Sequence, residues 1–291
     1  MQIAFHLGAH CTDEDLLLRA LYKNRGTLEP SGIVLPPQRL YRKLLPKVAK
    51  SLRGAAAEGT TRQVVLDAVL DDTPAERLIF SADSLLAFPV NAIGEDGLYP
   101  TAAQRVAAFA NLFGSDQAEF FLGLRNPATL VPALLARLAP MTYDEVMKGV
   151  SPIALRWAPV IRRIVTQVPD LTLTIWCNED TPLIWPELLR ALAGTGPEEE
   201  LEGDFDLLAT ILTDEGLEKL KAFLDTHPPA NLAQRRRSVA AFLDKYARPD
   251  EMEVEIDLPG WSEELVAAMT DAYDADCAEI AGMPGVVFLS P

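Results

Sequence analysis

Short apolar runs alternate with amphipathic stretches over the first two thirds of the chain. A compact apolar run bounded by polar or turn residues is typical of a strand buried in a parallel sheet. Such runs predict strands at 2–7, 32–35, 78–81, 119–124 and 171–176. Apolar residues spaced three or four positions apart predict helices at 13–21, 40–52, 63–70, 102–112 and 185–193.

This alternation predicts the α/β fold class. Strands that are joined in sequence by helices form right-handed βαβ units, and these build a mostly parallel sheet with helices on both faces. In sheets of this kind ligands bind beyond the carboxyl ends of the strands. The ends of the predicted strands are therefore where chemistry is expected.

The pattern changes after Gly194, which ends the last helix of the alternating part. An acidic loop at 198–206 leads into helical patterns at 215–224, 231–246 and 262–280, which are interrupted at 252–258. We therefore expect an α/β domain at 1–194 and a mainly helical C-terminal lobe at 195–291 that packs on it.

Composition and charge narrow the classes of function. The 291 residues contain no apolar run near the roughly 20 residues that span a bilayer, and the first residues lack the pattern of a signal peptide, so a cytoplasmic protein is expected. The net charge of −16 opposes binding to nucleic acid or to an anionic membrane. Cys11, Cys177 and Cys277 show no spacing typical of a zinc site or a disulfide framework, which indicates a reducing compartment.

The end of the first predicted strand, FHLGAHCTDEDLL, carries the richest local pattern. A glycine turn at Gly8 that leads into a helix directs backbone N–H groups toward an anion. The segment lacks the second glycine and the lysine of a complete Walker loop, so the pattern alone is a weak signal. The alternative is an ordinary capped helix, with Thr12 or Asp13 as the cap and Glu14 and Asp15 near its positive end.

The order of residues resembles the bacterial sulfotransferases whose loop reads approximately HxGxHKTGTT. The matching positions are His6, Gly8, His10 and Thr12, then Asn24, Arg25, Leu28, Gly32, Ile33 and Pro36, then Ser81, Ala82 and Asp83, then Arg125, then Cys177 to Asp180 with Trp185 and Leu189, and finally Met283 to Val286. These landmarks follow one another in the family's order and cover residues 1 to 194, with only the last beyond them.

The resemblance implies a P-loop-type three-layer αβα architecture and the transfer of a sulfuryl group from 3′-phosphoadenosine 5′-phosphosulfate to a small-molecule or lipid acceptor. It assigns the donor nucleotide to a loop and to an arginine, and it suggests two catalytic side chains. The nucleotide-binding positions are Gly8, Ala9, His10, Cys11, Thr12 and Arg125, and the catalytic candidates are His10 and Asp83.

The chain departs from the family pattern where the donor would bind. Cys11 stands at the lysine position, Asp13 at the glycine, Glu14 and Asp15 at the two threonines, and Ala133 at a serine that would hold the 3′-phosphate. Like charges about 4 Å apart repel by roughly 4 kcal/mol at an effective dielectric constant of 20. The carboxylates therefore oppose the binding of a phosphosulfate.

Three functions stay open on the sequence alone. The first is a divergent sulfotransferase that uses Arg125 and a replacement cation, such as one from the arginine run at 235–237. The second is a catalytically inactive interaction or accessory protein whose acidic surface binds a basic protein partner. The third is a divalent-metal-dependent enzyme that uses the acidic loop, although consecutive carboxylates on a helix point in different directions.

Overall fold

In the computed structural model, the described residues are 1–52, 57, 59–71, 73–114, 117–249 and 256–291, and they form a parallel sheet between two layers of helices. The strands are β1 (Gln2–His6), β2 (Ile33–Val34), β3 (Arg77–Ser81), β4 (Ile93–Gly94), β5 (Gly97–Leu98), β6 (Ala118–Leu124), β7 (Thr172–Cys177) and β8 (Val286–Leu289). The six strands of the main sheet lie in the order β2-β3-β1-β6-β7-β8, and every ladder between them is parallel. The predicted α/β class is therefore confirmed.

Helices cover both faces of this sheet. They are α1 (Leu16–Lys23), α2 (Arg25–Leu28), α3 (Gln38–Tyr41), α4 (Leu44–Leu52), α5 (Gly59–Leu70), α6 (Ala102–Phe113), α7 (Pro127–Arg137), α8 (Tyr143–Met147), α9 (Ala158–Gln167), α10 (Thr181–Ala193), α11 (Asp206–Ile211), α12 (Asp214–Thr226), α13 (Leu232–Tyr246) and α14 (Glu263–Ala281). Short 3₁₀ turns and the antiparallel pair β4–β5 complete the connections.

The alternation of side chains along β1 divides the core between the two faces. Phe5 points to one face, where its ring lies 5.4 Å from that of Phe80, 5.0 Å from that of Phe109 and 5.2 Å from that of Phe120. Ala4 points to the other face, into a cluster with Trp185 of α10. Because β1 is buried on both sides in the middle of the sheet, the loop that follows it starts from a rigid support.

All five predicted strands lie in the main sheet, and β8 was not predicted. Its four residues form an edge strand beside β7, directly after Gly285. The apolar run VVFL carried the local signal for it. Its place in the sheet depends on the packing of α14, which brings the end of the chain back to β7.

The residues after 194 pack in two different ways. Helices α11 to α13 surround a small core of their own, built from Leu208, Leu212, Leu220 and Val239, and contact the rest of the chain through α1 and α10. In contrast, α14 packs on α7 and α9, and β8 joins the sheet. The division at residue 194 stays a prediction, and the interruption predicted at 252–258 falls mostly outside the described residues.

Candidate functional site

The loop 7–15 leaves the carboxyl end of β1 next to the end of β3, where the sequence placed a site. Gly8 has a φ of 57°, in the left-handed region that favours glycine. Cys11, Glu14 and Asp15 also have positive φ values, of 58°, 47° and 63°. A β-branched threonine is disfavoured in that conformation. The threonines of the family motif would therefore not suit this loop at positions 14 and 15.

Several polar groups in and beside the loop are bonded to one another. The Leu17 N–H, in the first turn of α1, donates to Asp13 Oδ2 over 3.0 Å, and the Thr12 hydroxyl donates to the Ala9 carbonyl over 2.8 Å. Gln38 Nε2 donates to Asp15 Oδ1 over 3.0 Å. A donor at the start of α1, which would face an anion in a phosphate-binding loop, is therefore occupied by a carboxylate of the protein.

Arg125 lies at the end of β6, as predicted, and contacts the loop. Its guanidinium donates to the Cys11 carbonyl oxygen, and its Nε donates to Thr129 Oγ1 over 3.1 Å. Its own carbonyl accepts a hydrogen bond from Trp157 Nε1 over 2.8 Å. These contacts tie the loop to β6 and α7, so in this structure the guanidinium is used to hold protein oxygens.

Asp83 pairs with an arginine that sequence reasoning missed. Arg137 Nη2 lies 2.5 Å from Asp83 Oδ2, and both side chains are about one third exposed. Arg137 ends α7, a helix that was not predicted from the sequence, and it lies beside Cys11. Arg42 lines the same space. Both arginines stand far from the loop in sequence, and neither belongs to a motif that would have indicated them.

His10 is buried under the loop and bonded to Tyr99. The His10 backbone N–H donates to the Tyr99 hydroxyl oxygen over 3.0 Å, and the same hydroxyl lies 2.9 Å from His10 Nδ1. The tyrosine oxygen accepts from the amide, and its own proton can be donated to Nδ1 in the tautomer that carries the imidazole proton on Nε2. The rings are parallel, with centroids 5.7 Å apart.

Burial lowers the pKa of His10 to about 4, with a smaller opposing effect from the Asp83 carboxylate and a further lowering by Arg137. The imidazole is therefore neutral at pH 7, and its side chain has no exposed surface. His10 stays a predicted catalytic residue, although these surroundings are typical of a structural histidine. His6 is also buried, and its Nδ1 lies 2.8 Å from Ser81 Oγ.

Loop and strand ends enclose a cavity of about 70 Å³. Its lining contains the carboxylates Asp13, Glu14, Asp15 and Asp83 and the guanidinium groups of Arg42 and Arg137, together with His6, Gly8, Ala9, Cys11, Thr12, Gln38, Ser81 and Ala82. Acidic groups outnumber basic ones by four to two. Of the predicted site residues, His10 and Arg125 do not line this space.

Glu179 braces the strand ends behind the loop. Its Oε1 accepts a hydrogen bond from the Asn126 N–H over 2.9 Å, and its Oε2 accepts one from the Tyr273 hydroxyl over 2.9 Å. Asn126 Nδ2 in turn donates to Thr270 Oγ1 over 2.9 Å. The segment after Arg125 is thus held by α14, in the part of the chain that was predicted to be a separate lobe.

The arginine run at 235–237 does not supply a cation to the loop. Arg236 pairs with Glu187 of α10 over 3.0 Å, and the guanidinium of Arg235 lies 5.8 Å from the centre of the Phe205 ring. The structure does not bring this run to the cavity at the loop, since α13 packs on α10. The cations at the cavity are Arg42 and Arg137.

Three further observations concern the described residues as a whole. In the parts of the chain that the structure describes, no three His, Cys, Asp or Glu side chains lie close enough together to hold a metal ion. A larger cavity, of about 930 Å³, lies between α4, α6 and residues 167–170, and none of the predicted site residues lines it. Among the described helices, none is long and apolar enough to cross a membrane.

Comparison with known proteins gives a distant structural likeness. No family model and no curated protein matches the chain. The crystal structure of a sulfotransferase from Alicyclobacillus acidocaldarius is similar over 84% of this chain and 96% of that chain, with 14% identity and a TM-score of 0.40. The assignment of the fold class rests on the sheet and the helices themselves.

Proposed function

We propose that this chain is a noncatalytic protein of the sulfotransferase type, which acts by binding a protein partner and does not transfer sulfuryl groups. The observation that carries the proposal is the state of the loop after β1. Its cavity is small and acidic, and donors beside the loop are bonded to the protein's own oxygens. The donor nucleotide implied by the sequence resemblance does not fit such a site.

Size is the first argument. Sites for drug-sized ligands and cofactors have volumes of roughly 300 to 1,000 Å³. The cavity at the loop has about 70 Å³. A nucleotide carrying two phosphorus centres and a sulfate exceeds this volume, and the adjoining cavity of about 690 Å³ is reached past the same carboxylates, Glu14 and Asp15.

Charge is the second argument. Asp13, Glu14 and Asp15 would all lie near a phosphosulfate, and Asp83 lies at the same cavity. At an effective dielectric constant of 20, each contact of like charges at about 4 Å opposes binding by roughly 4 kcal/mol. Two arginines do not offset four carboxylates, and one of them, Arg137, is already paired with Asp83.

The third argument concerns the groups that hold phosphate in the family pattern. The Leu17 N–H is bonded to Asp13, and Arg125 is bonded to the Cys11 carbonyl and to Thr129. An incoming phosphate would have to displace these partners before it gained any contact. Each exchange replaces a hydrogen bond that exists with one of similar strength, so it contributes little net affinity.

The net charge of −16 indicates the chemistry of the partner. It opposes binding to nucleic acid and favours a protein with a basic surface. A complex of this kind is expected to be recovered from native lysate with the intact protein as bait and to weaken as the salt concentration rises. A protein recovered as a monomer without any retained partner would contradict this part of the proposal.

The decisive experiment is a calorimetric titration of the protein with 3′-phosphoadenosine 5′-phosphate, beside the Arg125→Ala variant. We expect no binding by either protein at nucleotide concentrations up to about 1 mM, which corresponds to a binding free energy weaker than about 4 kcal/mol. A sulfotransferase with the complete lysine-containing loop serves as the positive control. Saturable binding by the wild type that is lost in Arg125→Ala would overturn the noncatalytic proposal and favour a divergent transferase.

A further inference from the structure

Two cysteines that are far apart in sequence meet where the last long helix crosses the end of the sheet. Cys177 is the last residue of β7, and Cys277 lies in the final turns of α14, 100 positions later. Their Sγ atoms are 3.4 Å apart, and both side chains are partly exposed. A disulfide bond has an S–S distance of about 2.05 Å, so only a small approach separates the two thiols from a covalent bond.

The surroundings already hold the two sulfur atoms together. The residue before Cys277, Asp276, is buried and forms an ion pair with Arg156, and this fixes α14 against the segment before α9. Tyr273, one turn earlier in α14, donates to Glu179 just after Cys177. The two backbone elements that carry the cysteines are therefore held beside each other.

The two thiols differ in acidity because of the hydrogen bond between them. The hydrogen bond between the two thiols lowers the pKa of Cys177, while the same bond, together with burial, raises the pKa of Cys277. The thiolate is the reactive form of cysteine in thiol–disulfide exchange. Cys177 is therefore the sulfur that attacks first, and Cys277 is the resolving thiol that attacks second.

We propose that Cys177 and Cys277 form a reversible oxidation site, which a low-molecular-weight disulfide converts into an intramolecular disulfide. The Cys177 thiolate attacks one sulfur of the reagent, whose S–S bond breaks and releases one small thiolate. That thiolate takes up the proton of Cys277. The Cys277 thiolate then attacks Cys177 Sγ and displaces the second small thiolate, which takes up the proton that Cys177 released. In total two protein thiols are oxidised to a disulfide and one small disulfide is reduced to two thiols.

The bond would join α14 to β7 across the network that braces the strand ends. Because it closes a loop of 100 positions, it restricts the unfolded chain strongly. We expect oxidation to raise the midpoint of thermal unfolding by about 5 °C or more. Cys11 stays reduced, because it is buried and its pKa is raised by burial.

The test treats the intact protein with oxidised glutathione and follows it by intact mass and non-reducing peptide mapping. The wild type and the Cys11→Ser variant should both lose the mass of two hydrogen atoms and yield a peptide that joins Cys177 to Cys277. Reduction with dithiothreitol should reverse both the mass change and the rise in the unfolding midpoint. A wild type that only forms a glutathione adduct, or whose mass does not change, would overturn the proposal.

Variants that lack one cysteine of the pair, and the labelling rates of the two thiols, test the order of events. Cys277→Ser should accumulate a glutathione adduct at Cys177, and in the reduced wild type brief labelling with a thiol reagent should modify Cys177 at least tenfold faster than Cys277. Serine is close to cysteine in size, and the thermal midpoint of each reduced variant shows whether it is folded. Faster labelling of Cys277 than of Cys177 would overturn the assigned order, since the attacking sulfur would then be the wrong one.

Discussion

Replacing Asp276 by alanine is expected to lower the free energy of unfolding by about 3 kcal/mol. The Asp276 carboxylate is 1% exposed and accepts three hydrogen bonds, two from Arg156 over 2.6 and 3.0 Å and one from the Trp157 N–H over 2.7 Å. Removing it leaves a buried N–H without a partner and a guanidinium without its counter-charge. The loss is large because the partners stay where they are while their acceptor disappears.

A matched control lies on the same helix. Glu279 pairs with Arg162, and both of these side chains are about half exposed. Exposed pairs contribute roughly 0 to 1 kcal/mol, so Glu279→Ala should change the stability by less than about 1 kcal/mol. Urea denaturation of the two variants beside the wild type measures the difference. Equal losses in both would show that the burial of Asp276 does not matter, contrary to this expectation.

The buried imidazole of His10 is expected to lower the free energy of unfolding in acid. Its pKa is lowered from 6.5 to about 4 by burial, so between these values the unfolded chain binds a proton that the folded chain does not. Stability therefore rises with pH across this window. The contribution of His10 is fully present above about pH 6.5 and falls by about 3 kcal/mol as the pH decreases to about 4.

This dependence is measured by urea denaturation at several pH values between 4 and 7 for the wild type and for His10→Gln. The variant has no imidazole at this position. The change in its free energy of unfolding over this pH range should therefore be smaller than that of the wild type by about 3 kcal/mol. His227, which is exposed, supplies the control variant His227→Gln. Identical pH dependence in the wild type and in His10→Gln would mean that His10 titrates in the folded protein as it does in the unfolded chain.

The two predictions concern different supports of the same end of the sheet. His10 and Tyr99 lie under the loop that follows β1, while Asp276 holds α14, from which Tyr273 reaches the segment after β6 through Glu179. A loop that is fixed from both sides has little freedom to open for a nucleotide. This rigidity agrees with the proposal that the loop is a structural part of a binding protein.

The parts of the fold that depend on local pattern were predictable. The apolar runs of β1, β3, β6 and β7 and the helical spacing of α10, α12 and α14 appear in the sequence because each buries one or both of its faces. The start of α1 was predicted too early. Asp13 to Asp15 belong to the loop, because two of these residues adopt the left-handed conformation and cannot continue a helix.

The pairing of groups around the site was not predictable in the same way. Arg137 reaches Asp83 from the end of a helix that contains an internal proline, and no motif marked it. The cysteines show no paired spacing in the sequence, yet Cys177 and Cys277 lie 3.4 Å apart in the fold. Both pairings follow from how α7 and α14 lie beside the strand ends, which is decided by long-range packing.

By itself, the sequence determined the alternation of strands and helices, the place of the loop after β1 and the acidic residues within it. The tertiary structure alone decided that Asp13 accepts from the helix, that Arg125 holds the loop, that Arg42 and Arg137 are the nearby cations and that two distant thiols meet. The physical reason is the range of the interactions. Backbone periodicity and burial leave a trace every few residues, whereas contacts between side chains depend on which elements the folded sheet brings together.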